Sequence, residues 1–210
     1  MGYWSKNSEW LRSVKEMSLI LRCLALTALA FILPAQTTSS AIAKPYYEDP
    51  EGYEIYAALL AAPNPNKGGS DLAVILQRTL VFENCYKPDE QWRELLAPVL
   101  ENYEKMNQTR WNLADSLFRF PHKLISADEE YALFAKGTKN GWKQFHRKYP
   151  HKALLSVSAV GFNREKTIAM VATESDCGPL CGSGGISFLR KTDGMWKEFH
   201  PTGTICVVVH

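Results

Sequence analysis

The sequence contains no internal repeat, no heptad run and no low-complexity tract, which excludes solenoid, coiled-coil and linker-dominated architectures. Net charge is missing as well once the N-terminus is set aside. Of the 24 Lys+Arg and 22 Asp+Glu residues, Lys6, Arg12, Lys15, Arg22, Glu9 and Glu16 fall within residues 1–43, which leaves the remainder electrically balanced. Nucleic-acid binding needs a basic footprint to displace counterions, so that class loses its main support. Cysteines are few, five in all.

The longest apolar stretch is Cys23-Leu-Ala-Leu-Thr-Ala-Leu-Ala-Phe-Ile-Leu33, the length of a signal-peptide core and short for a membrane span. Lys15 and Arg22 supply the positive flank, Pro34 breaks the helix, and Ala41-Ile42-Ala43 fits the small-x-small cleavage rule. The expected organisation is a signal peptide over residues 1–43, with Met17 as an alternative start, and one domain over residues 44–210. An uncleaved anchor from Met17 to Ala35 would carry Arg22 within it, at a cost of roughly several kcal/mol. A membrane is a partner only if that segment stays attached. The expected location is periplasmic or secreted.

Cys85, Cys177, Cys181 and Cys206 remain after cleavage, and an even count in an exported chain points to disulfides with three connectivities. Residues four apart reach bridging distance in a turn but not in a strand, and Gly178-Pro179 supplies a turn. The preferred partition is Cys177–Cys181 with Cys85–Cys206. By loop entropy the short bridge contributes about 2 kcal/mol and the long one nearly ~5 kcal/mol.

Along the chain, Tyr53 to Ala61 reads as a short helix and Pro63 to Gly69 as a linker. Leu72 to Phe82 is strand-like. Asp89 to Met106 is helical, with Trp92, Leu95, Leu96, Val99, Tyr103 and Met106 on one face and Pro98 expected to kink or split it. Leu117 to Ile125 reads as a strand broken at Pro121. Ser126-Ala-Asp-Glu129 is a capping box that starts a helix running to Lys136, stopped by Gly137. A second short helix carries Trp142, Phe145 and Tyr149 and ends at Pro150. Five short strands follow: Leu154 to Val160, Thr167 to Thr173, Ile186 to Lys191, Met195 to Phe199 and Ile205 to Val209. Asp193-Gly194 is a two-residue hairpin signal. The predicted fold class is α+β, with N-terminal helices packed on a C-terminal antiparallel β-meander of four to five strands.

Ser158-Ala-Val-Gly-Phe-Asn163, Ala169, Cys177-Gly-Pro-Leu-Cys-Gly-Ser-Gly184 and Leu189-Arg-Lys-Thr-Asp-Gly-Met-Trp196 occur in that order. This region, about the last 70 residues, resembles a group of exported bacterial proteins of uncharacterised function. The resemblance implies export and an α+β domain, and it carries no catalytic residue.

A redox dithiol usually sits as Cys-x-x-Cys at a helix N-terminus, whereas Cys177 and Cys181 enclose Pro179 and precede a strand pattern. Zinc needs four ligands at structural spacing, and His200 and His210 supply no second pair. Gly182-Ser-Gly-Gly185 lacks the Asp that precedes a trypsin-like serine, and Cys181 stands where G-x-S-x-G needs its first Gly. Lys139, Lys143, His146, Arg147, Lys148, His151 and Lys152 read as a solvated helix face, with an anionic surface such as lipid head groups or cell-wall polymer as the alternative. Glu48, Asp49 and Glu51 fall in a segment expected to be mobile, and Asn107-Gln-Thr109 is a formal glycosylation sequon.

No catalytic set, metal set or cofactor motif emerges, and none is expected. The reading is a disulfide-stabilised domain that binds a protein or an envelope component. The alternative is a cell-envelope hydrolase whose residues converge only in the fold. The candidate binding loop is Glu174 to Gly185, with Asp176, Leu180 and Ser183 as its exposed positions. The alternative, and the favoured one of the two, is that its glycines merely let the sheet edge turn.

Overall fold

Helix α1 (Pro50–Leu60) begins where Asp49 Oδ1 accepts the Glu51 N–H at 3.1 Å and Pro50 sets the first-turn φ. The segment expected to be mobile is thus a capped helix start. Asp49 also pairs with Lys166 at 2.8 Å, and Glu51 with Lys191 at 2.9 Å. The structure, a computed structural model, describes residues 45–61, 72–82 and 85–204. The signal-peptide and linker expectations and the strand from Ile205 lie outside the described residues. Those described belong to one unit that begins at Ala43.

The strands of the main sheet are β2 (Ala73–Leu76), β5 (His122–Ile125), β6 (Leu154–Val157), β7 (Gly161–Phe162), β8 (Ile168–Gly178), β9 (Cys181–Thr192) and β10 (Met195–Phe199). They run in the order β10-β9-β8-β6-β2-β5, with β7 beside β8. Two small pairs flank it: β1 (Tyr46–Tyr47) with β4 (Asn112–Leu113), and β3 (Lys87–Pro88) with β11 (Gly203–Thr204). The fold is α+β as expected, but the sheet is not a purely C-terminal meander. β6, β8, β9 and β10 are antiparallel neighbours, whereas β2 lies parallel to both β6 and β5. The N-terminal half therefore supplies two strands as well as helices. β2 is Ala-Val-Ile-Leu with Val74 and Ile75 both buried, so it packs on both faces and shows no alternation to reveal its neighbours.

Helices cover both faces of this sheet. On one, Tyr53, Ile55 and Tyr56 of α1 pack against Ile75, Val157, Val171 and Leu189. On the other, α2 (Glu90–Met106) sets Leu96, Val99 and Tyr103 on Ile168, Met170, Ala172 and Phe188. Beside it, α3 (Ala127–Phe134) and α4 (Thr138–Lys148) set Leu133, Trp142 and Phe145 on Val74, Ile125 and Leu154. The alternation of β8, odd residues one way and even residues the other, separates the two cores.

Local signals held where a cap or turn dictated them. Ser126 Oγ accepts the Glu129 N–H at 3.2 Å, and Gly137 ends the segment with φ 87°. Helix α3 itself stops at Phe134, short of Lys136. Asp193 and Gly194 both have positive φ, 54° and 75°, as a type I′ turn requires. Pro98 neither splits nor ends α2, because it lies on the exposed face, where the carbonyl it leaves unpaired meets water. The strand expected over Leu117 to Phe120 does not form: a 3-10 turn, Asp115–Leu117, ends at its first residue and Phe118 to Phe120 is irregular.

Candidate functional site: the bridged hairpin

The segment read as a loop from Glu174 to Gly185 is a β-hairpin. β8 continues to Gly178, β9 starts at Cys181, and the turn is confined to Pro179 and Leu180. The register pairs Thr173 with Gly185, Glu174 with Gly184, Ser175 with Ser183 and Asp176 with Gly182. Gly178 then closes on Cys181 across an irregularity that leaves out Cys177. Cys177 and Cys181 are disulfide-bonded with Cα atoms 5.1 Å apart. The expected loop is a paired ladder because Gly182 and Gly184 serve as strand residues facing bulky acids, not as turn residues.

Those glycines have a steric reason. A Cβ at Gly182 would lie 2.5 Å from Asp176 Oδ1, and one at Gly184 would lie 2.8 Å from Glu174 Cγ and 3.2 Å from the Thr173 carbonyl. Both acidic side chains therefore fold across β9. Glu174 and Asp176 are half-buried, and neither belongs to an ion pair among the described residues.

Asp176, Leu180 and Ser183 do not share a surface. Asp176 is on the face of α4, opposite Leu154 in the register, while Ser183 is on the other face and exposed. Leu180 stands at the tip, 91% exposed. On the Ser183 side, Leu60 and Leu155 join Thr173, Ser175 and Gly185 around a shallow, open concavity of about 200 Å³. The hairpin is braced from α4, where His146 stacks on Trp142 and its Nε2 donates to the Cys177 carbonyl at 3.0 Å. His146 is therefore half-buried and hydrogen-bonded rather than part of a solvated basic face. Lys148 on the same helix bonds Glu129.

Cys85 is also disulfide-bonded, while Cys206 lies outside the described residues. Among the described residues, no group of three or more His, Cys, Asp or Glu is placed to hold a metal ion. His122 has both ring nitrogens engaged, Nδ1 by the Phe120 carbonyl at 2.9 Å and Nε2 by Asp115 at 3.0 Å. The buried tyrosines are structural: burial pushes the Tyr53 and Tyr103 hydroxyls up to about 12. Asn107 of the sequon is buried and committed to the Tyr103 carbonyl and to both backbone groups of Ala159. A glycan at that nitrogen is incompatible with this fold. No helix among the described residues is long and apolar enough to cross a membrane.

No family model, no curated protein and no solved structure matches the chain.

The opposed pairs Glu174/Gly184 and Asp176/Gly182 went unread in the sequence. Their signal was the mirror spacing of Glu-x-Asp and Gly-x-Gly about Pro179-Leu180, which becomes visible once the turn is placed there.

Proposed function

We propose that this is an exported domain that acts by binding, with the Glu174–Gly185 hairpin as its recognition element. The observation that carries the reading is a pre-ordered apolar tip. Leu180, 91% exposed, stands at the end of a hairpin clamped by Cys177–Cys181 and by His146. Ordering is complete before a partner arrives, so less of the contact energy is spent on immobilising the loop. Export is supported by the apolar run before Pro34 and by a bridge at an exposed hairpin end, where an oxidising compartment preserves it.

The test is a photo-crosslinking residue at position 180, with a control at Tyr131, which is also exposed. In the parent organism, a discrete adduct is expected at 180 and absent at 131. N-terminal sequencing of the adduct should give a start near Lys44. Equal labelling at both positions refutes the binding role, and an intact Met1 or Met17 terminus refutes cleavage.

A further inference from the structure

The β8–β9 hairpin has a backbone edge that β10 leaves uncovered. Thr192 and Met195 close the Asp193-Gly194 turn, so Thr192, Arg190 and Phe188 face β10 with their N–H and C=O groups. The intervening residues face β8, as the Lys191 N–H to Thr167 carbonyl bond of 2.8 Å requires. β10 ends at Phe199, opposite Phe188, and beyond Pro201 the chain pairs with β3 instead. No irregularity interrupts β9 between Gly182 and Thr192. Continuing the alternation, Ile186, Gly184 and Gly182 turn three N–H and three C=O groups outward, with no strand beside them among the described residues. Natural sheet edges are usually blunted by charge, proline or a covering element. This one carries glycine.

Resting on the binding reading above, we infer that the Gly182–Ile186 edge of β9 takes up an extended, basic peptide segment of a partner protein as an added strand. Backbone pairing supplies the contact, and the two faces of the hairpin select the side chains. On one face Glu174 and Asp176 lean across Gly184 and Gly182 toward the open edge, without ion-pair partners among the described residues. Lysine or arginine at alternate positions of the added strand reaches them. On the other face the added strand meets Ser183 and Gly185, which leaves room for small residues.

A second copy of this chain is the poorer occupant. Antiparallel pairing of two β9 edges about Gly184 would place Glu174 and Asp176 of both copies on one face, with like charges gathered and glycine opposite glycine.

The probe is an acetylated and amidated peptide, Thr-Lys-Val-Lys-Val-Lys-Thr, compared with its Glu-for-Lys counterpart and with a version N-methylated at alternate amides. Binding is read by fluorescence anisotropy and by hydrogen exchange of the full exported chain. The Lys peptide should bind and protect the Gly182, Gly184 and Ile186 amides, while the Glu and N-methylated peptides should not. Glu174→Gln/Asp176→Asn should weaken binding by about tenfold or more with an unchanged melting temperature, since the carboxylates act through charge alone. The proposal is overturned if the Lys peptide fails to bind, or if N-methylation leaves its binding intact. It is equally overturned if a dimer of this chain protects the same three amides. An adduct at position 180 together with an unprotected edge sinks the added strand and leaves the binding role standing.

Discussion

Glu51 ties the first helix to the last strands through one carboxylate. It accepts from Lys191 Nζ at 2.9 Å and from Trp196 Nε1 at 3.1 Å. The hydrogen bond from Lys191 is the main reason its carboxyl is held below the ordinary value of 4.5; burial opposes that, and the Trp196 bond adds to it. A carboxyl depressed in the folded state contributes stability that is complete above its unfolded value and is lost as pH falls through the folded one. Melting temperature should therefore fall as pH drops below about 4.5, and Glu51→Gln should flatten that slope while lowering the melting temperature at pH 7. Thermal scans between pH 7 and pH 3 check it; identical slopes in both proteins contradict it. The acidic trio was legible as charge, but its role was not, because Lys191 and Trp196 lie some 140 residues along the chain.

At the scale of elements, α2 meets β7 through bare backbone. A Cβ at Gly161 would lie 2.5 Å from Tyr103 Cβ and 2.6 Å from its Cα and N. Asn102 Oδ1 accepts the Phe162 N–H at 2.8 Å, so the helix also serves the short strand as a neighbour. Gly161→Ala has to separate the two elements and should cost about 3 kcal/mol or more of unfolding free energy, since a main-chain contact cannot relax by a rotamer change. A urea midpoint unmoved by the substitution would show that the approach is looser than this geometry. The elements legible in advance were those with local causes: the capping box at Ser126, the Asp193-Gly194 turn and the apolar stripe of α2. The hairpin at Cys177 was misread because its glycines answer to Glu174 and Asp176 on the facing strand.

Over the whole molecule, two cysteine bridges act at different places. Cys177–Cys181 closes a hairpin end. Cys85 precedes β3, and β3 pairs with β11, Lys87 opposite Thr204 and Pro88 opposite Gly203. That register brings the last described residues alongside the segment carrying Cys85, so non-reducing peptide maps should return Cys85 linked to Cys206. Cys85→Ser should then destabilise by nearly ~5 kcal/mol, against about 2 kcal/mol for Cys177→Ser/Cys181→Ser, because the loop it closes is far longer. A map that pairs Cys85 elsewhere, or equal losses from the two variants, would overturn that ranking.

By itself, the sequence determined the α+β class, the helix starts at Ser126 and before α2, the type I′ turn and the short cysteine bridge. Each of these depends on residues within a turn or two of one another, so a cap, a φ requirement or a periodicity suffices. Only the tertiary structure decided that β2 and β5 enter the sheet in parallel, that Asn107 is buried, and that β9 runs past the end of β10. Those outcomes follow from which strands pair across long stretches of chain, and backbone pairing is blind to the side chains that local patterns read.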